Sequence, residues 1–382
     1  MNDFNFKIPQ EIVFGVGSLK KLPSILKDNN IDNALLVSDR GLEAIGVVKK
    51  ITDILDEGGV KYSTYLDVKP NPTVAIVNEA AAMYKDNGCK SIIALGGGGP
   101  MDVSKAVGVL SKFGGSIKDY VGVGNVPGPI VPMLAIPTTA GTGSEVTASS
   151  VITDEETSFK FSVISYELLP KYAVLDPELI MTAPASIAAS CGVDALIHAL
   201  EAYISTAATP FSDAFAEKAM ELIGKNIRRF VANRHDEEAA CAMMIGSTFA
   251  GISFAWAKLG NVHAMSHPVS GFFGVAHGVA NSVLLPTVIE FNALADHGRY
   301  EKIYNYIRED TAPCTNFRPE MLTEEIKKLN KQLGIPENLR AVGVTEDKIP
   351  NMAADAMKSA NVLVNPRATT LKDITELYHK AF

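Results

Sequence analysis

Apolar positions in the first half of the chain fall into short continuous runs, each followed by a stretch of helical periodicity. NALLVSD precedes GLEAIGVVKKITDILDEGG, and SIIALGGGG precedes PMDVSKAVGVLSKF. A short, wholly apolar run reads as a strand buried on both faces, and the i, i+3, i+4 pattern after it as a helix laid against the sheet. Repetition of that unit predicts a mainly parallel sheet with helices on both sides. IVPMLAIP, SFKFSVIS and YAVLDPE add further strands, and the polar loop TTAGTGSEVT follows the first of these. From about Met181 the pattern changes. PASIAASCGVDALIHALEAYIST, SDAFAEKAMELIGKNIRRFVAN and EEAACAMMIGSTFAGISFAW all carry helical periodicity, and strand-like runs almost vanish. The expectation is an α/β domain over residues 1–180 and an all-helical domain over residues 181–382, with the junction marked by Pro177 and Pro184.

Composition agrees with two packed domains: 382 residues, 47% hydrophobic and 20% charged. A formal charge of -8 argues against nucleic acid or an anionic membrane as partner, because both need clustered Lys and Arg. The opening MNDFNFKIPQ has neither a basic leader nor an apolar run before a cleavage site. No later segment reads as the roughly 20 apolar residues that span a bilayer. Cys89, Cys191, Cys241 and Cys314 form no CxxC pair, which points to a reducing compartment and hence to the cytoplasm.

Two features of the first half suit a dinucleotide. Gly96 to Gly99 follow the strand SIIAL and precede Pro100, with Gly99 expected as the N-cap of the next helix. Backbone without side chains can approach a pyrophosphate there, and the helix N-terminus supplies free N–H groups. The turn is neither GxGxxG nor a P-loop, and glycine also serves simple strand-to-helix turns. Asp39 ends NALLVSD, where a carboxylate can hold ribose hydroxyls and repel a 2'-phosphate, or can equally cap a helix.

Histidine is scarce, yet His263, His267 and His277 crowd into NVHAMSHPVSGFFGVAHGVAN. Upstream, Asp194 and His198 stand at i and i+4 of a helical pattern, which puts both on one face. One carboxylate with several imidazoles suits a borderline ion such as iron(II) or zinc(II). Phe249, Phe254 and Trp256 lie just before this stretch and are candidates for an apolar substrate pocket or for core packing.

Taken together, PTTAGTGSEVT at 137–147, DALIHALEAY at 194–203, LGNVHAMSHPVSG and the AHG ending at Gly278 resemble the iron-containing, group III alcohol dehydrogenases. That family includes butanol, propanediol and methanol dehydrogenases and lactaldehyde reductase. The likeness runs from the first strand to NPR at 365–367. It implies a dehydroquinate-synthase-like fold: an N-terminal dinucleotide-binding domain, a helical C-terminal domain, and a site in the cleft between them. It implies metal ligands at Asp194, His198, His263 and His277, with His267 the remaining active-site histidine. For NAD it implies Asp39 and Asn71 toward adenosine and Gly97, Gly98 and Gly99 at the pyrophosphate. Thr138, Thr139, Thr147, Lys160 and Leu179 would surround the rest. Two positions depart from the family's habit: Gly99 replaces a common serine, and Ala276 replaces a common proline before the last histidine.

The expected activity is hydride transfer between a small primary alcohol or diol, or its aldehyde, and NAD. The ion, Fe2+ first and Zn2+ second, would favour deprotonation of the alcohol, His267 would relay the proton or equally orient a metal ligand, and the family suggests a homodimer or larger homo-oligomer. The leading alternative is a metal- and NAD-dependent lyase or cyclase of the dehydroquinate-synthase type. That chemistry needs Lys and Arg for an anionic substrate, and the histidine segments are poor in both. A metal hydrolase would leave the glycine turn and Asp39 without purpose.

Overall fold

The computed structural model describes every residue except 1–5, 7, 9, 158, 311 and 313, and the side chain of Phe159. Most of the opening decapeptide and the first residue of SFKFSVIS therefore lie outside the described residues. Among the described residues the strands are β1 Glu11–Phe14, β2 Asn33–Val37, β3 Lys61–Tyr65, β4 Ser91–Gly96, β5 Gly122–Val123, β6 Met133–Pro137, β7 Ser149–Asp154, β8 Phe159–Ile164 and β9 Tyr172–Leu175. Six form one sheet in the order β1-β9-β6-β4-β2-β3, every pairing parallel. A second, mixed sheet runs β5-β8-β7.

The continuous apolar runs are explained by burial on both faces. Leu35, Ile92 and Met133 belong to one apolar cluster, while their neighbours Leu36, Ile93 and Leu134 belong to another. Successive strand side chains point to opposite faces, so a sheet covered twice needs an apolar residue at every position. One helix expectation fails in detail. GLEAIGVVKKITDILDEGG forms two helices, Arg40–Ala44 and Val47–Glu57, because Gly46 between them takes the left-handed conformation at φ 83°.

The chain divides into an α/β unit, which ends its first pass at Thr139 and resumes from Gly143 to Thr182, and a helical unit. The latter comprises Ala183–Phe382 with Phe6 and the short segment Ala140–Thr142. In the helical unit Ala185–Ile204, Pro210–Ala232 and Glu237–Ala257 pack on one another, and Asn261–Phe273 and His277–Asn292 follow. Thr209 begins the second of these with a capping box and Pro210 in its first turn, and Asp236 caps the third. The bilayer expectation needs correction. By length and composition Ala185–Ile204, Glu237–Ala257 and His277–Ala295 are apolar enough to cross a membrane. Their apolar windows are 83%, 61% and 61% buried within the protein, so packing of helix on helix accounts for much of that composition.

Candidate active site

From Ala188 to Ile204 the helix Ala185–Ile204 is almost wholly buried, and this stretch carries two carboxyl groups and an imidazole: Asp194, Glu201 and His198. Unpaired, such groups would cost several kcal/mol each, roughly, so their partners decide what they are for. Asp194 and His198 share a helix face with one turn between them, as their spacing dictates. His263 comes from Asn261–Phe273 and His277 opens His277–Asn292. One ligand atom from each of these four lies within 4.8 Å of the others. The His198 and His263 rings stack at 4.6 Å between centroids, and His263 and His277 stand at 5.3 Å.

Two of the imidazoles have an acceptor set against Nδ1. His198 Nδ1 lies 3.2 Å from the Gly141 carbonyl, which can only accept, so Nδ1 is a donor there and Nε2 is the ring nitrogen that remains to face a cation. His263 Nδ1 lies 2.6 Å from the Glu201 carboxylate. Burial, with His198 and His277 nearby, holds His263 neutral, well below the usual imidazole range. Burial by itself would raise the Asp194 carboxyl; His198, His277, His263 and the Asn281 amide outweigh it and hold Asp194 below the ordinary carboxylate value. Burial pushes Glu201 up to about 7, against backbone N–H groups of Gly260, Val262 and His263 that favour the charged form. A neutral His263 beside an ionised Asp194 is the pair of protonation states that a divalent cation requires.

Asn281 belongs to the same cluster. Its amide nitrogen is 2.6 Å from Asp194 Oδ1 and 3.1 Å from Nε2 of both His263 and His277, while its carbonyl oxygen is buried without a hydrogen-bond partner. Two amide hydrogens cannot serve three acceptors. Acceptor atoms crowded so closely fit an arrangement made for a cation, and an Asp-His-His-His donor set fits iron(II) or zinc(II). His267 is exposed and outside the four, with its ring 5.4 Å from that of His277. Of the three aromatic residues, Phe254 packs at 4.4 Å on His198, whereas Phe249 meets Phe215 and Trp256 meets Phe6.

In the α/β unit, the glycine turn sits at the C-terminal end of β4, a central strand, where parallel sheets present their ligand sites. The helix begins earlier than expected: Gly97, not Gly99, is the N-cap of Gly98–Phe113. Pro100 therefore lies inside the first turn, where its missing N–H still breaks no helical bond. Gly96, at φ 148°, permits the sharp turn, and a Cβ there would strike Pro100 Cγ at 2.6 Å. Gly97, Gly98 and Gly99 are all partly exposed.

Asp39 ends up with the capping role that its position allowed, since its carboxylate accepts from Leu42 N at 2.9 Å to begin Arg40–Ala44. Asn71, at φ 56°, accepts from Lys160 Nζ at 2.7 Å. Thr138 and Thr139 follow β6, with Thr138 N bonded to Gly96 O and Thr139 Oγ1 close against Gly97. Thr147 is buried and accepts from Lys105, and Leu179 is buried in the apolar core, so any contact by Leu179 would come from its backbone.

The candidate residues that the sequence reading passed over are Glu201, Asn281 and Lys105. Glu201 and Asn281 each had a signal, a polar residue one turn from a candidate ligand on a largely apolar helix; Lys105 had none of that kind. Lys105 is fully buried two turns into Gly98–Phe113, and its Nζ donates to Ser144 O, Ser144 Oγ, Thr147 Oγ1 and Ser149 O. Burial pushes the Lys105 ammonium down and the adjoining Asp102 carboxyl up.

A parallel α/β unit with an open glycine turn, together with a helical unit holding an Asp-His-His-His set of which three members are buried, fits the class of metal-dependent dehydrogenases. Residues 9–177 match the family described as iron-containing alcohol dehydrogenase, and residues 188–382 match the C-terminal part of the Fe-containing alcohol dehydrogenase family. The chain belongs to the iron-containing alcohol dehydrogenases. It is 37% identical over 378 residues to the NAD-dependent methanol dehydrogenase of Bacillus methanolicus, with 99% of each chain covered. It is 38% identical over 374 residues to lactaldehyde reductase of Escherichia coli (strain K12), with 97% of each covered. The crystal structure of a 1,3-propanediol oxidoreductase superposes with a TM-score of 0.96 at 36% identity, covering 100% of both chains.

Proposed function

We propose that this enzyme interconverts small primary alcohols or diols and their aldehydes with NAD, using a divalent ion held by Asp194, His198, His263 and His277. The observation that carries the proposal is the convergence of those four ligand atoms within 4.8 Å, with Asp194, His198 and His263 buried and His277 partly exposed. Iron(II) is the proposed metal, with zinc(II) the competitor that affinity order favours. When bound, the ion supplies Lewis acidity toward an alcohol oxygen and NAD supplies the hydride acceptor. The chain's own part is to bind, orient and move the proton. Gly97, Gly98 and Gly99 offer N–H groups to a pyrophosphate; Thr138, Thr139, Asn71, Thr147, Lys160 and Leu179 complete the proposed NAD contacts. Phe254 keeps one side of His198 apolar. The test is NADH formation with a panel of short primary alcohols and diols, and the reverse reaction with their aldehydes. Turnover with none of them would sink the proposal in favour of the lyase reading, which the basic-poor histidine segments disfavour.

His267, exposed and beside His277, is proposed to pass the alcohol proton to solvent. His267→Ala should retain the metal while turnover falls on the order of a hundredfold and its pH profile changes. Metal loss matching that of His263→Ala would make it a ligand instead.

Asp39 is proposed to set cofactor choice, because its carboxylate would repel a 2'-phosphate. Asp39→Gly should raise the ratio of kcat/KM for NADP over NAD roughly ten- to hundredfold, the scale of one unfavourable charge contact in a partly solvated site. Glycine is itself a fair N-cap, so Arg40–Ala44 should survive. An unchanged ratio leaves Asp39 as a cap alone. Four cysteines spaced far apart in the sequence with no CxxC pair support a cytoplasmic location. The family resemblance supports a homodimer or larger homo-oligomer.

A further inference from the structure

Glu201 is a carboxylate only 2% exposed, one turn beyond His198 on Ala185–Ile204. Its two oxygens have separate duties. Oε1 accepts the N–H of Val262 at 2.7 Å, while Oε2 accepts the N–H of His263 at 3.4 Å and faces His263 Nδ1 at 2.6 Å. The first duty caps a helix that lacks a side-chain cap of its own: Asn261–Phe273 begins at Gly260. On the other side of that start, Asn365 Oδ1 accepts the N–H of Asn261 at 3.3 Å. The first turn carrying His263 is thereby clamped between Glu201 and the NPR segment.

The second duty bears on chemistry. An imidazole whose Nδ1 donates to a carboxylate keeps its lone pair on Nε2. His263 Nε2 is the atom that faces Asp194 Oδ1, at 3.7 Å, and the Asn281 amide. We propose that Glu201 is a positioning residue that holds His263 as the Nδ1–H tautomer with Nε2 turned into the cluster, so that the affinity for a divalent cation depends on it. This rests on the reading of Asp194, His198, His263 and His277 as a cation site.

Glu201→Gln separates positioning from capping. The amide has nearly the same shape but only one acceptor oxygen. If that oxygen stays on Val262 N–H, the NH2 group faces Nδ1 and forces the proton onto Nε2, which then cannot ligate. If the oxygen turns to Nδ1 instead, the NH2 group is set against backbone N–H groups.

The measurement is Co(II) binding to the full-length protein, read by its visible absorption bands and by the rate of release to a chelator. Wild type, Glu201→Gln, Glu201→Asp and His263→Ala are compared, with thermal midpoints taken on the metal-free proteins. Glu201→Gln is expected to melt near wild type, to bind Co(II) roughly 10- to 100-fold more weakly, and to show altered bands. If it does not fold, Glu201→Asp, which keeps the charge but pulls the carboxylate back by one methylene, is read the same way. A Glu201 variant that binds within about twofold of wild type with unchanged bands, while His263→Ala binds poorly, overturns the positioning role alone. A wild type that takes up no Co(II), or a His263→Ala that holds it equally well, overturns the reading of the site and this role with it.

Discussion

Stripping the divalent ion is expected to abolish NAD-linked alcohol oxidation while leaving NAD binding largely intact. The two capacities are proposed to rest on different parts of the chain. Asp194, His198, His263 and His277 belong to the helical unit, whereas Gly97, Gly98 and Gly99 belong to the α/β unit. Lewis acidity toward an alcohol oxygen is worth several kcal/mol, and at about 1.4 kcal/mol per tenfold this predicts a loss of roughly a thousandfold or more in kcat. The experiment is dialysis against a chelator, followed by NADH formation against a panel of alcohols and, separately, by NAD titration. Iron(II) and zinc(II) are then restored one at a time. His263→Ala should behave like the stripped enzyme whichever ion is supplied. Alcohol oxidation at full rate by metal-free protein would remove the ion from the reaction.

Gly278→Ala is expected to lower both stability and metal content, although it adds a single methyl group next to His277. An added Cβ would stand 2.4 Å from Ser190 O and 2.9 Å from Ser190 C, and 3.4 Å from the Asp194 Cβ. The obstacle is the backbone of Ala185–Ile204, which no rotamer change can move aside, and that helix carries Asp194 and His198. Overpacking of this kind costs about 1–3 kcal/mol, and here the strain falls on the spacing between two ligand-bearing helices. Gly271→Ala is the control. It lies in Asn261–Phe273 with nothing within 4 Å of an added Cβ, so it should leave stability equal or slightly higher. Thermal midpoint and bound metal are measured for both. Equal metal content and midpoint in Gly278→Ala and wild type would show that the two helices have slack that the close approach denies.

Local patterns carried much of the architecture because the physics behind them is local. After the polar residues that open them, Asn33 in β2 and Ser91 in β4, these strands and β6 are continuously apolar since both sheet faces are covered, and such runs can be read without knowing what covers them. The pairing of Asp194 with His198 is also local, a consequence of helical pitch. Long-range features were harder. The mixed sheet β5-β8-β7 includes a strand of two residues, Gly122–Val123, too short for any periodicity to mark. The break at Gly46 was open to sequence reading, yet an isolated glycine in a helical pattern is usually tolerated.

By itself the sequence determined the strand-then-helix order, the composition change near Met181, the turn of four glycines and the residue types able to hold a cation. Only the tertiary structure decided which of the crowded histidines share a focus. His263 and His277 reach Asp194 and His198 because separate helices are packed side by side, whereas His267, equally in phase with His263 by sequence, points to an exposed surface. It also decided the work of Glu201, Asn281 and Lys105. Each reads as an ordinary helix residue until burial removes water as a partner, after which the nearest donor or acceptor from a distant part of the chain becomes its only recourse.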